Sequence, residues 1–407
     1  MRFVIFGLTI SSSWANGHAT PWRGILKALH RAGHTAAFFE RDVPYYAQHR
    51  DLPEPDFCDL VLYDDWPAVL QRARAALARA DVAIVTSYCP DGLSASRLVL
   101  EASRPLHVFY DLDTPITLAE LARHRGAIRS GAHYLTPDLV PEFDLYLSFT
   151  GGPILDELRA RWGARRVAPL YGCVDPEVHA PVAKPHKEFR CNCGYLGTYS
   201  ADRQPALERL LIGPARQRPA ERFFVAGSLY PSDIVASWPP NVVTRWHLDP
   251  TEHPAFYSAN RLTLNVTRQA MRDWGYTPSG RLFEAASCGT PLLTDAWQGL
   301  GTFFQPGTEI LVAETTDEAH AALDLSDTQL QRIASAARER TLAQHTGAHR
   351  ARELIAACEA AMRFGSSALM DVPGTAPVRS GAHATFSSAS AAGHGGVPAA
   401  AERGAGA

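Results

Sequence analysis

At 407 residues, with 46% hydrophobic and 20% charged side chains, the chain is long enough for two ordinary domains and too apolar to be disordered. Its 39 Lys and Arg against 42 Asp and Glu leave a formal charge of −3, which argues against a nucleic-acid footprint or a polybasic membrane patch. Lysine occurs only at Lys27, Lys184 and Lys187, so a phosphate clamp has to be built from arginine and backbone N–H groups. Seven scattered cysteines suit a reducing compartment, and the C-x-C of Cys191 and Cys193 has no partner pair at zinc spacing. The opening MRFVIFGLTISSSW has a short apolar core preceded only by Arg2, so it reads as a first buried strand rather than a signal peptide. No run approaches the length of a membrane span, and the expected location is the cytoplasm.

In chain order, the pattern predicts a strand over Phe3 to Leu8, a polar loop over Ser11 to Thr20, a helix opened by Thr20 and Pro21 and closed by Gly33, and a second strand over Thr35 to Phe39. A loop rich in Ser, Asn and Gly at the carboxyl end of a first parallel strand is where doubly wound sheets bind ligands. No G-x-G-x-x-G is present, which removes support from nicotinamide chemistry. Asn16, Gly17 and His18 are the candidates in this loop, with a histidine satisfied by loop backbone as the plainer reading of His18. The alternation continues with a helix near Pro67 to Ala80, strand Val82 to Thr86, helix Ser94 to Ala102, and strands Leu106 to Tyr110 and Leu145 to Phe149. Polar strand ends follow at Thr86 to Tyr88, at Asp111 and Asp113, and at Thr150 to Gly152. Asp113 at such an end can serve as a base or bind hydroxyls, or it can simply start a turn with Thr114 and Pro115. Together Asp111 and Asp113 imitate a metal-binding D-x-D, a reading given little weight.

Prolines 176, 181 and 185 among charged residues mark a linker over 171–190, between a first domain at 1–170 and a second at 191–345. The second begins with strand Cys193 to Leu196, the junction Gly197 to Arg203 and a helix from Gln204 to Leu211. Strands over Arg222 to Ala226, Val242 to Leu248 and Leu262 to Val266 and helix His253 to Asn260 lead to the most informative stretch, Tyr276 to Leu300. There Ser279 can cap a helix starting near Gly280, Gly289 can close it, and Pro291 forbids its continuation. Leu282, Phe283, Ala285 and Ala286 make that helix apolar over most of its girth, and Glu284 does not belong to such a core. Near a helix N-terminus carrying Ser279, Gly280 and Arg281, that carboxylate suits a diol beside a bound anion; the alternative is an ion pair with Arg281 three residues earlier. A last strand is expected over Thr308 to Ala313, then helices Asp327 to Gln344 and His349 to Arg363, the latter within a segment at 346–364. An aperiodic tail rich in Ala, Gly, Ser and Pro at 365–407 reads as disordered.

The run RLFEAASCGTPLLT, Arg281 to Thr294, resembles the donor-site signature of GT-B glycosyltransferases of the family-4-like kind (glycosyl transferases group 1), in particular the spore-maturation CgeB-like branch. The resemblance implies an α/β chain of two Rossmann-like doubly wound parallel-sheet domains facing a central cleft, with a hinge at Gly172 to Pro176 and a final helix crossing back to the first domain. It implies that Glu284 clasps a ribose, and that Tyr276, eight positions earlier, stands where related enzymes carry a sugar-contacting glutamate. Gly197, Thr198 and Arg203 fall on the diphosphate junction. Thr198 takes the position of an arginine, for which Arg281 or Arg268 can substitute. The nucleobase is expected near His247 and Leu248, and the loop of Asn16, Gly17 and His18 near the donor phosphate and acceptor.

The expected function is transfer of a sugar from a uridine diphosphate sugar to an unidentified small molecule, saccharide or protein, with His18 and Asp113 as catalytic candidates. Retention of configuration is implied, with no metal and no cofactor beyond the nucleotide sugar as co-substrate. No nucleic-acid partner and no transmembrane segment are expected. A nucleotide-sugar epimerase of the same fold and an inactive sugar-nucleotide binder are the alternatives.

Overall fold

The computed structural model describes residues 1–123 and 134–363, so the expected disordered tail lies outside the described residues. Two parallel sheets organise the chain. The first contains β1 (Arg2–Gly7), β2 (Thr35–Arg41), β3 (Asp59–Tyr63), β4 (Val82–Thr86), β5 (Leu106–Asp111), β6 (Leu145–Ser148) and β7 (Val167–Pro169), in the order β3-β2-β1-β4-β5-β6-β7. The second contains β8 (Cys193–Leu196), β9 (Phe223–Ala226), β10 (Val242–Arg245), β11 (Thr263–Asn265), β12 (Leu292–Thr294) and β13 (Leu311–Val312), in the order β10-β9-β8-β11-β12-β13. Each sheet reverses its winding once, between β1 and β4 and between β8 and β11, and these switch points open crevices at the carboxyl ends of the strands.

The sheets are covered on both faces, which is why their central strands are continuously apolar. Along β1, Phe3 and Ile5 enter the core beneath one face while Val4 and Phe6 enter the other, and β4 repeats the division with Val82 and Ile84 against Ala83 and Val85. The register sets Ile5 beside Phe38 and Ile84. In the second sheet Phe223 and Val225 face one core, and Phe224 and Ala226 face the other, where they join Leu282, Phe283, Ala285 and Ala286 of helix Gly280–Ser287.

Several local expectations shift. The first helix spans Ala19–Arg31 with His18 as its N-cap and no side-chain cap, so Thr20 and Pro21 lie inside its first turn. Thr114 and Pro115 open a helix, Thr114–Arg123, rather than an isolated turn. Strands β3 and β7 were not legible: β3 alternates exposed and buried residues, and β7 is three residues long. Among the described residues no helix is long and apolar enough to cross a membrane.

The chain ends by returning to its beginning. In helix Gly347–Arg363, Ala351, Leu354, Cys358 and Ala361 bury in the same core as Trp22, Ile25, Leu26 and Leu29 of helix Ala19–Arg31. The hinge is strapped there by main-chain carbonyls and amides and by one side chain: Val174 N–H donates to the His345 carbonyl at 3.0 Å, Gly347 N–H to the Val174 carbonyl at 3.0 Å, and the Arg350 side chain donates from Nε to the Gly172 carbonyl at 3.1 Å. Lys27 adds an ion pair to Asp175 at 2.7 Å.

At the end of β5, Asp111 is fully buried, accepting from Tyr146 Oη at 2.7 Å, Thr117 Oγ1 at 2.8 Å and the Asp113 N–H at 3.2 Å. Burial outweighs these donors and pushes its carboxyl up to about 6. Asp111 is therefore a structural tie in this structure, while Asp113 beside it is half-buried.

Two outcomes test this packing. A Cβ on Gly347 would lie 2.4 Å from the backbone of Gly24, so Gly347→Ala is expected to lower stability by about 1–3 kcal/mol in urea unfolding. An unchanged midpoint would mean that the two helices do not cross so closely. A carboxyl whose folded pKa is raised gives stability that is full at low pH and is lost as pH rises through the folded value. Between about pH 4.5 and about pH 7.5 the wild type should therefore lose roughly 2 kcal/mol relative to Asp111→Asn. A difference independent of pH would show that the carboxyl ionises as freely in the fold as outside it.

Candidate functional site

The second sheet's crevice is lined by the ends of β8 and β11 and by the N-terminus of helix Gly280–Ser287. Ser279 has the extended backbone of an N-cap, but its hydroxyl makes no capping bond, so the first-turn amides keep no side-chain partner. Arg281 reaches across the crevice. Its Nη1 donates to Asn265 Oδ1 at 3.0 Å, its guanidinium carbon lies 5.2 Å from the centre of the Tyr195 ring, and Nη2 abuts Gly197, where a Cβ would come within 2.9 Å. Arg203 donates from Nη2 to the Thr198 carbonyl at 2.7 Å, while its buried Nε has no partner. Tyr230 completes the junction by donating to the Gly197 carbonyl at 3.1 Å. Among the described residues neither guanidinium meets a carboxylate, so both retain their full charge beside one glycine loop. Two such cations and an uncapped helix end are the groups that could hold an anion.

Glu284, one turn into the helix, does not pair with Arg281. Its Oε2 accepts from Tyr257 Oη at 3.4 Å, and the residue is half-buried at the crevice. This separation leaves Arg281 to an anion and Glu284 to hydroxyl donors. Two residues not anticipated from the sequence stand beside Glu284, His179 of the linker and His253 of helix His253–Ala259, and one ligand atom from each of the three lies within 4.8 Å of the others. Burial lowers the His253 imidazole to about 4; Glu284 opposes that shift and His179 adds to it. His253 and Tyr257 are four apart on one helix, a spacing that places both on the face packed against Gly280–Ser287.

On the first domain, the loop after β1 is shaped by Glu40, a buried carboxylate at the end of β2 that accepts from Thr9 Oγ1 at 2.7 Å and the amides of Ile10 at 2.8 Å and Ser11 at 3.1 Å. Asn16 is used within the loop, donating to the Thr9 carbonyl at 3.2 Å and accepting the His18 N–H at 3.0 Å. Gly17 meets nothing within 4 Å of a would-be Cβ, so no close approach requires a glycine there. His18 does have chemical company. Its Nε2 lies 3.9 Å from Asp113 Oδ2, which accepts from Tyr88 Oη at 2.8 Å. Desolvation lowers the His18 pKa, partly offset by Asp113, so the imidazole is neutral at neutral pH, and its Nδ1 is buried without a partner. Tyr88 sits at φ 63°, a left-handed strain for an aromatic residue, at the end of β4. His18, Tyr88 and Asp113 thus converge at the first sheet's switch point.

Several contacts join the walls, among them Thr150 Oγ1 donating to Thr277 Oγ1 at 3.3 Å and Trp274 packed on the first-domain core. Tyr276, at φ 48°, accepts the Gly151 N–H at 3.0 Å and donates its own N–H to Gln298 at 2.7 Å. Its ring lies between Gly152 and Gly299, where a Cβ would come within 2.2 Å and 2.4 Å of it. Trp14 of the first domain stacks on His49 at 4.1 Å and meets His247 of the second at 3.6 Å between centroids. Tyr276 and His247 are therefore interdomain contacts in this structure. Thr198 contributes its carbonyl to Arg203 and its hydroxyl to Ser228 at 3.4 Å. Arg268 Nε lies 3.8 Å from Asp202 Oδ2, a loose ion pair without a hydrogen bond.

Residues 203–356 match the family model described as glycosyl transferase-like. No curated protein matches the chain at a significant level. Among solved structures, an alpha-glucosyltransferase in complex with UDP-glucose and DNA containing an abasic site is 12% identical, with 88% of this chain and 99% of that chain covered and a TM-score of 0.66. HepE from Anabaena, in complex with UDP and glucose, is 12% identical over 88% of this chain and 100% of that one, with a TM-score of 0.61. Sucrose-phosphate synthase from Thermosynechococcus elongatus is 13% identical over 90% and 100%, with a TM-score of 0.59. The chain has the GT-B fold: two Rossmann-like parallel-sheet domains whose strand ends face one another across a cleft.

Proposed function

We propose that the protein is a glycosyltransferase that takes its sugar from a nucleoside diphosphate sugar, with uridine as the base. The observation that carries this reading is the pair of carboxylate-free guanidiniums, Arg203 and Arg281, beside an uncapped helix N-terminus with Glu284 one turn away. A diphosphate needs the cations and the amides; a ribose diol needs the carboxylate. Two structural neighbours solved in complex with UDP-glucose and with UDP and glucose support the choice of base.

In the reaction the acceptor oxygen bonds to the anomeric carbon as the bond from that carbon to the diphosphate oxygen breaks. Charge grows on the departing diphosphate, and Arg203, Arg281 and the helix amides meet it with dipoles already in place. Metal-independent transfer and retention of anomeric configuration, as the family-4-like resemblance implies, complete the proposal. From the opposite wall, neutral His18 beside Asp113 and Tyr88 is the group best placed to exchange a proton or orient the sugar. Tyr276 also favours a second reading, a sugar-nucleotide binder that performs no transfer, because its ring is held between glycines where a sugar-contacting acid would stand.

Loss of a hydrogen bond to a charged group is worth about 1.5–3 kcal/mol, so Glu284→Ala should weaken UDP binding by roughly 10–100-fold in calorimetry. Its thermal midpoint should fall much less than its affinity. A variant that melts early yet binds UDP normally would return Glu284 to a packing role. UDP-sugar turnover in magnesium-free buffer, with the product anomer read by NMR, tests the chemistry, and binding with neither hydrolysis nor transfer would favour the silent binder.

A further inference from the structure

Beside Glu284 lie two side chains, His179 and His253, that the sugar-nucleotide reading does not require. His179 follows the hinge, its backbone N–H donating to the Asp175 carbonyl at 2.9 Å and its carbonyl accepting from Ser287 Oγ. The linker is thereby fastened to helix Gly280–Ser287. The His179 side chain is only 4% exposed, and neither ring nitrogen has a hydrogen-bond partner. Leaving a buried polar atom unsatisfied costs about 1–3 kcal/mol, so an imidazole with both nitrogens unpaired calls for a ligand.

What faces it is a donor set. Ligand atoms of His179, His253 and Glu284 lie within 4.8 Å of one another, and His179 is hydrogen-bonded to neither of the other two. His253 Nε2 is 3.3 Å from the Leu248 carbonyl, the outer contact that commits one ring nitrogen as N–H and leaves the other as a lone-pair donor. Glu284 is steadied in turn by Tyr257. Metal bonds of about 2.0–2.1 Å in tetrahedral geometry set ligand atoms roughly 3.3 Å apart, a contraction within reach of side-chain rotation. Two imidazoles and one carboxylate match zinc and its neighbours; magnesium and calcium prefer oxygen alone.

We infer that His179, His253 and Glu284 form a binding site for one divalent transition-metal ion of the zinc class, which ties the linker to the donor-domain helix. The ion leaves a coordination position for water and is distinct from any magnesium on a diphosphate. It clamps Glu284 from below without being needed for the departure of the leaving group.

The test uses the full chain after treatment with a chelator. Cobalt(II) should bind with a stoichiometry of one and give the intense visible bands of a four- or five-coordinate N/O site, zinc should displace it, and zinc should raise the thermal midpoint. Because outer partners of a metal are worth roughly 10–100-fold, His179→Ala and His253→Ala should each weaken zinc binding by more than that. His179→Phe, which keeps a ring and removes both nitrogens, guards against a folding defect; it should melt as a single transition and bind no zinc at this site. The inference is overturned if the wild type takes up no stoichiometric cobalt or zinc, or if the folded His179→Phe protein binds zinc as the wild type does. None of these readouts involves nucleotide, so a failure here is separable from a failure of UDP binding.

Discussion

A guanidinium held in place by neutral groups keeps its charge available, and Arg281 is held in this way. Asn265 and Tyr195 fix its position while Glu284, its natural helical partner, turns to Tyr257. Had Arg281 and Glu284 closed an i,i+3 pair, cation and carboxylate would have cancelled and the crevice would offer neither. The division works because β8 and β11 flank the switch point of the second sheet. Asn265 ends β11 and Gly197 follows β8, so both arginine contacts come from rigid strand ends rather than from mobile loops.

The opposite wall obeys the same rule with a different chemistry. Glu40 spends its carboxylate on hydroxyls and amides of the loop after β1, and that loop then delivers His18 to the ends of β4 and β5. Here a neutral imidazole, a carboxylate and a phenol meet without a fixed cation. One wall thus presents fixed cations and the other neutral proton-exchanging and hydroxyl-binding groups, the division that the proposed transfer from a charged leaving group would use.

What holds the walls at their present separation is aromatic and main-chain contact: Tyr276 between two glycines, Trp14 on His247, and the hinge strapped to His345, Gly347 and Arg350. The direct contacts between the walls are few and local beside the two extensive cores.

Hydrophobic continuity, glycine and proline punctuation and the alternation of strands with helices were enough to read parallel-sheet architecture on either side of a linker, because those signals are local and each is repeated several times; the facing of two doubly wound domains and the returning helix came from the resemblance at Arg281 to Thr294. The run around Arg281 and Glu284 was legible for the same reason: caps, apolar face and odd carboxylate lie within a few residues of one another. Strands β3 and β7 were not, since a half-exposed edge and a three-residue strand carry too little periodic signal. Nor could the chain alone say that Asn16 is consumed by its own loop, that Tyr276 wedges between domains, or that His179 and His253 gather at Glu284. Partners 74 and 105 residues from one another in sequence meet only when the linker folds back on the second domain, and a lone histidine carries no mark of what will face it. Sequence was enough for most of the elements and for the expectation of a charged ligand near Arg281; which side chains remain unpaired, and so chemically available, was decided by tertiary packing alone.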